Sequence, residues 1–176
     1  MKVTVFMGAS VDGFIARPDG ALDFLPADGG EQHGFEDLMA EVDTVVMGRK
    51  TFESVLGFAA WPYAGKRVVV LSNGRHGRQD VRGNEIEWMG GDAKAIATRL
   101  EATGSRSVYA DGGITVQGFL RAGLVQRLVV TRVPILIGQG IPLFGSLPRD
   151  IRLRHIGTQS YPSGLVKSEY VVIGAG

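Results

Sequence analysis

Apolar residues fall along this chain in two rhythms. The first is the short unbroken run: KVTVFMGA at 2–9, TVVM at 44–47, KRVVVLS at 66–72, SVYAD at 107–111, and RLVVTRVPILIG from Arg127. Val-rich runs of this length predict strands, and their continuous apolar character predicts a parallel sheet covered on both faces. EIEWM at 85–89 is a weaker strand of the same kind. The second rhythm has helical spacing. Phe35, Leu38, Met39 and Val42 predict a helix over 33–42, and residues 51–56 a short one. Asp92 caps a helix reaching about Ala102, with Ile96 and Leu100 on one face. Val116, Phe119 and Leu120 mark another helix after Gly112-Gly113. Near the end, IRLRHIGT and LVKSEYVVI flank Tyr161-Pro162-Ser163-Gly164, the pattern of a hairpin. Residues 10–32 show no period and read as a long loop, a kind that is often functional.

The order is strand and helix in alternation, then antiparallel strands. It predicts an α/β fold with a mostly parallel central sheet and an antiparallel C-terminal hairpin. No Pro-, Ser- or charge-rich linker interrupts the 176 residues, so a single domain over 1–176 is expected. Composition then narrows the chemistry. Net charge is +1, so no global basic field points to nucleic acid, and any positive site must be local. The absence of Cys removes disulfides, thiolate nucleophiles and Cys-based zinc sites, and three scattered His make a metal site unexpected. No apolar stretch has the length of a membrane span, and the N-terminal run, broken by Thr4 and followed by Asp12, reads as a strand and not as a signal peptide. A cytoplasmic protein is expected. The 26 Gly follow no repeat and point to turns and close backbone approaches.

Three polar motifs stand at predicted strand ends, where open parallel sheets bind ligands. Gly48-Arg49-Lys50-Thr51 puts two cations where a helix begins, the end at which the macrodipole already presents positive charge. An anion bound there resolves the conflict, because backbone N–H groups and both side chains converge on it. Asp111-Gly112-Gly113-Ile114-Thr115 lets a ligand approach the backbone of the next helix start; a tight turn alone would also use these glycines. Leu71-Ser72-Asn73 is followed by Arg75 and His76, which serve equally as further phosphate contacts or as an ordinary cap and solvated charges. Neither a GxGxxG after the first strand nor a GxxxxGK[ST] occurs.

SVDGFIA (10–16), VMGRKTFE (46–53), VVVLS (68–72) and DGGITVQ (111–117), in this order, resemble the dihydrofolate reductase-like superfamily. More narrowly, the chain is similar to the reductase domain of the bifunctional riboflavin-pathway deaminase-reductase and its stand-alone relatives. The resemblance implies the three-layer dihydrofolate reductase-like fold with NADPH bound across the strand ends. It implies phosphate contacts from Gly48, Arg49, Lys50 and Thr51, and a 2′-phosphate beside Leu71, Ser72 and Asn73. It also implies a pyrophosphate on Asp111, Gly112, Gly113, Ile114 and Thr115, and a nicotinamide walled by Ala9, Ser10, Ile15 and Ala16. The implied activity is NADPH-dependent hydride transfer to a small heterocycle, either a pyrimidine-type riboflavin precursor or a pterin-like ring. The lack of Cys excludes the deaminase zinc motif.

LPAD at 25–28 matches the stretch in which dihydrofolate reductases carry their ring-binding acid and nominates Asp28 as the catalytic candidate. Asp12, Glu31 and Glu36 are further acids near the presumed cleft, Asp12 reading as a turn with Gly13. Trp61-Pro62-Tyr63 can wall a pocket or pin a surface loop. The competing expectation is a nucleotide-binding module of the same fold without reductase activity. Expected partners are a small-molecule substrate and a second copy in a homodimer, with no nucleic acid and no membrane.

Overall fold

The structure, a computed structural model, describes residues 1–26 and 33–175. Its elements are β1 (Lys2–Ser10), β2 (Phe14–Ala16), α1 (Phe35–Glu41), β3 (Thr44–Gly48), α2 (Arg49–Val55), β4 (Arg67–Leu71), β5 (Gly77–Val81), β6 (Asn84–Met89), α3 (Ala93–Ala102), β7 (Ser107–Asp111), α4 (Gly113–Arg121), β8 (Arg127–Val133), β9 (Ile141–Pro142), β10 (Ile151–Ser160) and β11 (Val166–Ala175). One sheet has the order β10-β11-β8-β1-β7-β3-β4-β6-β5, and β2 pairs with β9 in a second, two-stranded sheet. The run from β8 to β6 is parallel throughout, and β5, β11 and β10 join antiparallel. This is the expected mixed α/β architecture.

Side-chain alternation along the strands builds a core on each face. Val46, Val69, Val108 and Ala110 pack with Ile96 and Leu100 of α3 and with Val116 and Phe119 of α4. Val45, Met47, Val68, Val70 and Tyr109 pack with Leu38 of α1 and with Phe52 and Val55 of α2. The continuous Val runs are thus required, because successive residues enter opposite cores. Asp92 begins α3 as expected, its Oδ1 accepting the Ala95 N–H at 2.8 Å. At the amino ends of the strands, Asp43 accepts N–H groups from Arg106 and Ser107 at 2.9 Å, and Arg67 binds Glu87 at 2.7 Å.

The structure differs from the sequence reading in five places. The strand from Arg127 stops at Val133, because Pro134 has no N–H for a ladder. Helix α2 starts at Arg49, so both cations lie inside its first turn. The long loop after β1 contains β2, and the polar segment at 77–81 is an edge strand. Asp12 does more than turn with Gly13: its carboxylate accepts N–H groups from Ile137 and Gly138. No helix among the described residues is long and apolar enough to cross a membrane.

Candidate functional site

β1, β7, β3 and β4 lie side by side and parallel, so their carboxyl ends open on one edge of the sheet. Register pairs Met47 with Asp111 and Gly48 with Leu71. The three polar motifs therefore stand on neighbouring strands, about 5 Å apart per strand. From β3 the chain departs to α2 on one face; from β7 it departs to α4 on the other. Adjacent strands whose connections leave to opposite faces open a crevice between them, the usual ligand site of such sheets.

Glycine shapes this crevice. Gly112 has φ 85°, a region that side chains avoid, and a Cβ there would overlap Thr51 Oγ1. A Cβ on Gly48 would lie 3.5 Å from Thr115 Oγ1. The starts of α2 and α4 thus meet crosswise, each hydroxyl beside the other helix's glycine. Neither helix has a side-chain cap. In α4 the first intrahelical bond runs from Val116 N–H to Gly112 O, which leaves the N–H groups of Gly113, Ile114 and Thr115 without a helical carbonyl. Ile114 stands 79% exposed beside them. Arg49 and Lys50 are exposed in the first turn of α2. Arg49 faces Glu53 at 3.6 Å, an exposed i,i+4 pair too weak to hold it against a doubly charged ligand. Open donors, paired hydroxyls and two cations suit a phosphate.

The other predicted residues flank the crevice. Leu71, Ser72 and Asn73 end β4 beside Gly48, and Ser72 N–H binds Met89 O at 2.8 Å. Arg75 lies over the Trp88 ring at 4.9 Å, which keeps a cation at this end of the site. On the opposite side Ala9 and Ser10 are buried, and Ser10 Oγ accepts the Phe14 N–H at 3.0 Å. Ile15 reaches the other helix start: a Cβ on Gly113 would lie 3.1 Å from Ile15 Cδ1. Ala16 pairs with Ile141 in the small sheet. Asp28 and Glu31 lie outside the described residues.

One acid was legible as a residue but not in its role. The sequence places Asp111 only in the glycine turn. Its carboxylate points to the α1/α2 face, where Tyr63 donates to Oδ2 at 2.8 Å, and it is 8% exposed. Burial pushes this carboxyl above its ordinary range, although the hydroxyls of Tyr63 and Tyr109 pull the other way. Tyr63 is raised as well, by burial first and then by the Asp111 charge. A buried carboxyl with a raised pKa beside a tyrosine can hold and deliver a proton at a strand end. The contact joins residues 48 apart, so only the fold reveals it. An aromatic cluster adjoins it: Phe35 stands 6.1 Å from Phe6 and 6.4 Å from Tyr109, ring centre to ring centre. Among the described residues no group of three His, Asp or Glu can hold a metal ion.

A family model described as RibD C-terminal domain matches residues 1–167. The chain belongs to the RibD C-terminal domain family. The chain is similar to the uncharacterized protein YwjB of Bacillus subtilis (strain 168), 31% identical over 163 residues, covering 91% of this chain and 92% of YwjB. A candidate riboflavin biosynthesis protein from Shewanella sp. PV-4 has a crystal structure that superposes with a TM-score of 0.88 at 37% identity, covering 99% of this chain and 100% of that one. Dihydrofolate reductase from Enterococcus faecalis, solved with NADP(H), shares the fold: TM-score 0.66 at 14% identity, over 98% of this chain and 97% of the enzyme. The RibD C-terminal resemblance and the dihydrofolate reductase-like fold read from four short motifs are both met, and a reductase-like role follows from the family.

Proposed function

We propose that this chain is a single-domain, NADPH-dependent reductase of a small heterocycle of pyrimidine or pterin type. The observation that carries the reading is the cradle at Gly112, where an added Cβ would strike Thr51 while the α4 N–H groups remain uncapped. A backbone opening of this kind fits a pyrophosphate. Gly48, Arg49, Lys50 and Thr51 would hold phosphate from the α2 side, and Asp111 to Thr115 from the α4 side. Leu71, Ser72 and Asn73, with Arg75, would take a 2′-phosphate. Ala9, Ser10, Ile15 and Ala16 would wall the nicotinamide, which supplies the hydride when bound.

The protein's own part is orientation and proton supply. Phe6 and Phe35, both half-buried, offer flat faces and edges to a heterocyclic ring, with the buried Tyr109 packed behind Phe35. Asp111, protonated more readily than an ordinary carboxyl and hydrogen-bonded to Tyr63, is the acid that the geometry supports. Asp28 remains a second candidate on the family resemblance alone. We assign the chain to the cytoplasm as a homodimer, with the exposed Leu153, Ile156 and Ile173 of the C-terminal hairpin as the contact surface.

Calorimetric titration of the purified protein with NADPH and NADH tests this. The expected result is micromolar NADPH binding, NADH weaker by about tenfold or more, and loss of about tenfold in Arg49→Ala. Light scattering on the same sample is expected to give a dimer, and a monomer removes that part of the reading. No binding of either nucleotide at millimolar concentration overturns the whole. Binding without oxidation across a panel of pyrimidines and pterins would favour a nucleotide-binding module.

A further inference from the structure

The wall formed by the first loop is held by a distant segment of the chain as well as by its own turn. Val11 N–H binds Ile135 O at 2.9 Å, and Leu143 N–H binds Gly13 O at 2.9 Å. Between these two bonds, Asp12 accepts the N–H groups of Ile137 at 3.3 Å and of Gly138 at 2.8 Å. β2 then pairs with β9. Two segments more than a hundred residues apart are thereby fastened into one arm. Leu143, fully buried, anchors its base.

The arm rests on the first turn of α4. At Gly113 a Cβ would meet Ile15 Cδ1 at 3.1 Å, Pro142 O at 3.2 Å and Ile141 Cγ2 at 3.3 Å. One helical turn further on, Gln117 Nε2 donates to Pro142 O at 2.9 Å. The helix start with open N–H groups is thus the surface against which both strands of the arm are seated. A carboxylate bound to two backbone N–H groups has a defined direction, and so does an amide donating to a carbonyl. Neither contact is needed to fill a core: Asp12 is exposed, and the sheet has its own ladder without them.

We propose that Asp12 and Gln117 are positioning residues of the nucleotide site. Asp12 closes the arm and Gln117 seats it, so that Ile15 and Ala16 stand at a fixed height over the Gly112-Gly113 turn. The inference rests on the reading of that turn as a nucleotide site. Misplacement of a wall by about 1 Å is enough to cost a positioning-dependent step up to about a hundredfold.

The test compares Asp12→Ala, Asp12→Asn and Gln117→Glu with the wild type. The glutamate removes the donor while keeping the length. Hydrogen exchange at Ile137, Gly138 and Leu143 is expected to quicken about tenfold or more in Asp12→Ala, with the β10–β11 amides and the melting temperature unchanged. NADPH Kd is expected to rise about tenfold in Asp12→Ala and Gln117→Glu. Asp12→Asn, whose side-chain carbonyl can accept one of the two N–H groups, is expected to fall between Asp12→Ala and the wild type. With a reducible heterocycle in hand, kcat is expected to fall more than KM for that substrate rises. If the wild type binds NADPH and the variants bind it equally well, the positioning role is wrong while the nucleotide reading stands. If the wild type binds no nucleotide, both fall. A uniform loss of melting temperature, with exchange quickened everywhere, would make the arm a fold-stabilising element and overturn the proposal.

Discussion

Helices α3 and α4 cover the same face of the sheet, run for ten and nine residues, and both follow a parallel strand. Their first turns differ. α3 begins at Asp92, whose carboxylate takes the Ala95 N–H at 2.8 Å. α4 begins at Gly112, with no side chain and with φ 85°. The first solution completes the helix from within. The second leaves donors open at the crevice between β7 and β3, and accepts the entropic cost of glycine to do so. The same contrast holds for acids. Asp43, at the amino end of β3, lies below its ordinary pKa: burial raises it, but hydrogen bonds from Thr44, Ser107 and Arg106 outweigh that. Asp111, at the carboxyl end of β7, lies above its ordinary pKa because burial wins. One end of the sheet satisfies its polar groups; at the other, Asp111 is hydrogen-bonded yet raised, and the first N–H groups of α4 have no side-chain cap.

Exchanging the two helix starts should break the comparison most sharply. Gly112→Asp forces a side chain into the left-handed region and against Thr51. Nucleotide affinity is expected to fall by about a hundredfold or more, read by calorimetry on protein whose circular dichroism is native. A folded variant with unchanged affinity would show that the opening is only a turn. Next in size is Asp111→Asn, expected to lower turnover by about a hundredfold while preserving the fold. Its stability carries a sign that can be checked. An acid whose folded pKa is raised stabilises fully only below its unfolded value, and that contribution is lost as pH rises through the folded value. Asn does not titrate, so the melting temperature of the variant should gain on the wild type as pH rises from acid towards neutral. A constant difference across that range would mean that Asp111 is not raised. The smallest effect belongs to Asp92→Ala, about 1 kcal/mol of stability by denaturant titration with nucleotide affinity unchanged.

The two helix starts also show what could be read beforehand. Asp92 announces a cap by its residue type, and β7 was bounded correctly because an apolar run ends in Asp-Gly-Gly. Glycine at 112 was legible as an opening. That the opening faces Thr51 was not, since it depends on two connections leaving the sheet on opposite faces. The missed strands have a common cause. β5 (Gly-Arg-Gln-Asp-Val) is a mostly exposed edge strand without an apolar period, and β2 and β9 are three and two residues long. Their pairing is decided by what lies opposite and not by their own composition. The Tyr63–Asp111 and Asp12–Gly138 contacts are of the same kind. Asp12 looked like half of a local turn because Gly13 follows it, and its partners are backbone groups that carry no sequence signal.

The arm that Asp12 fastens has a consequence for how the molecule comes into being. Ile137 and Gly138 lie 125 and 126 residues further along the chain than the carboxylate that holds them. A ribosome that has released β1 and its loop must still make β3, β4, β7 and β8 before the other half of the arm exists. Contacts this remote in sequence enter folding late, because a large loop must close before they return any energy. Nascent chains that lack the segment around residue 143 therefore have the glycine turn but not the wall above it, and the arm closes only once that segment has left the ribosome.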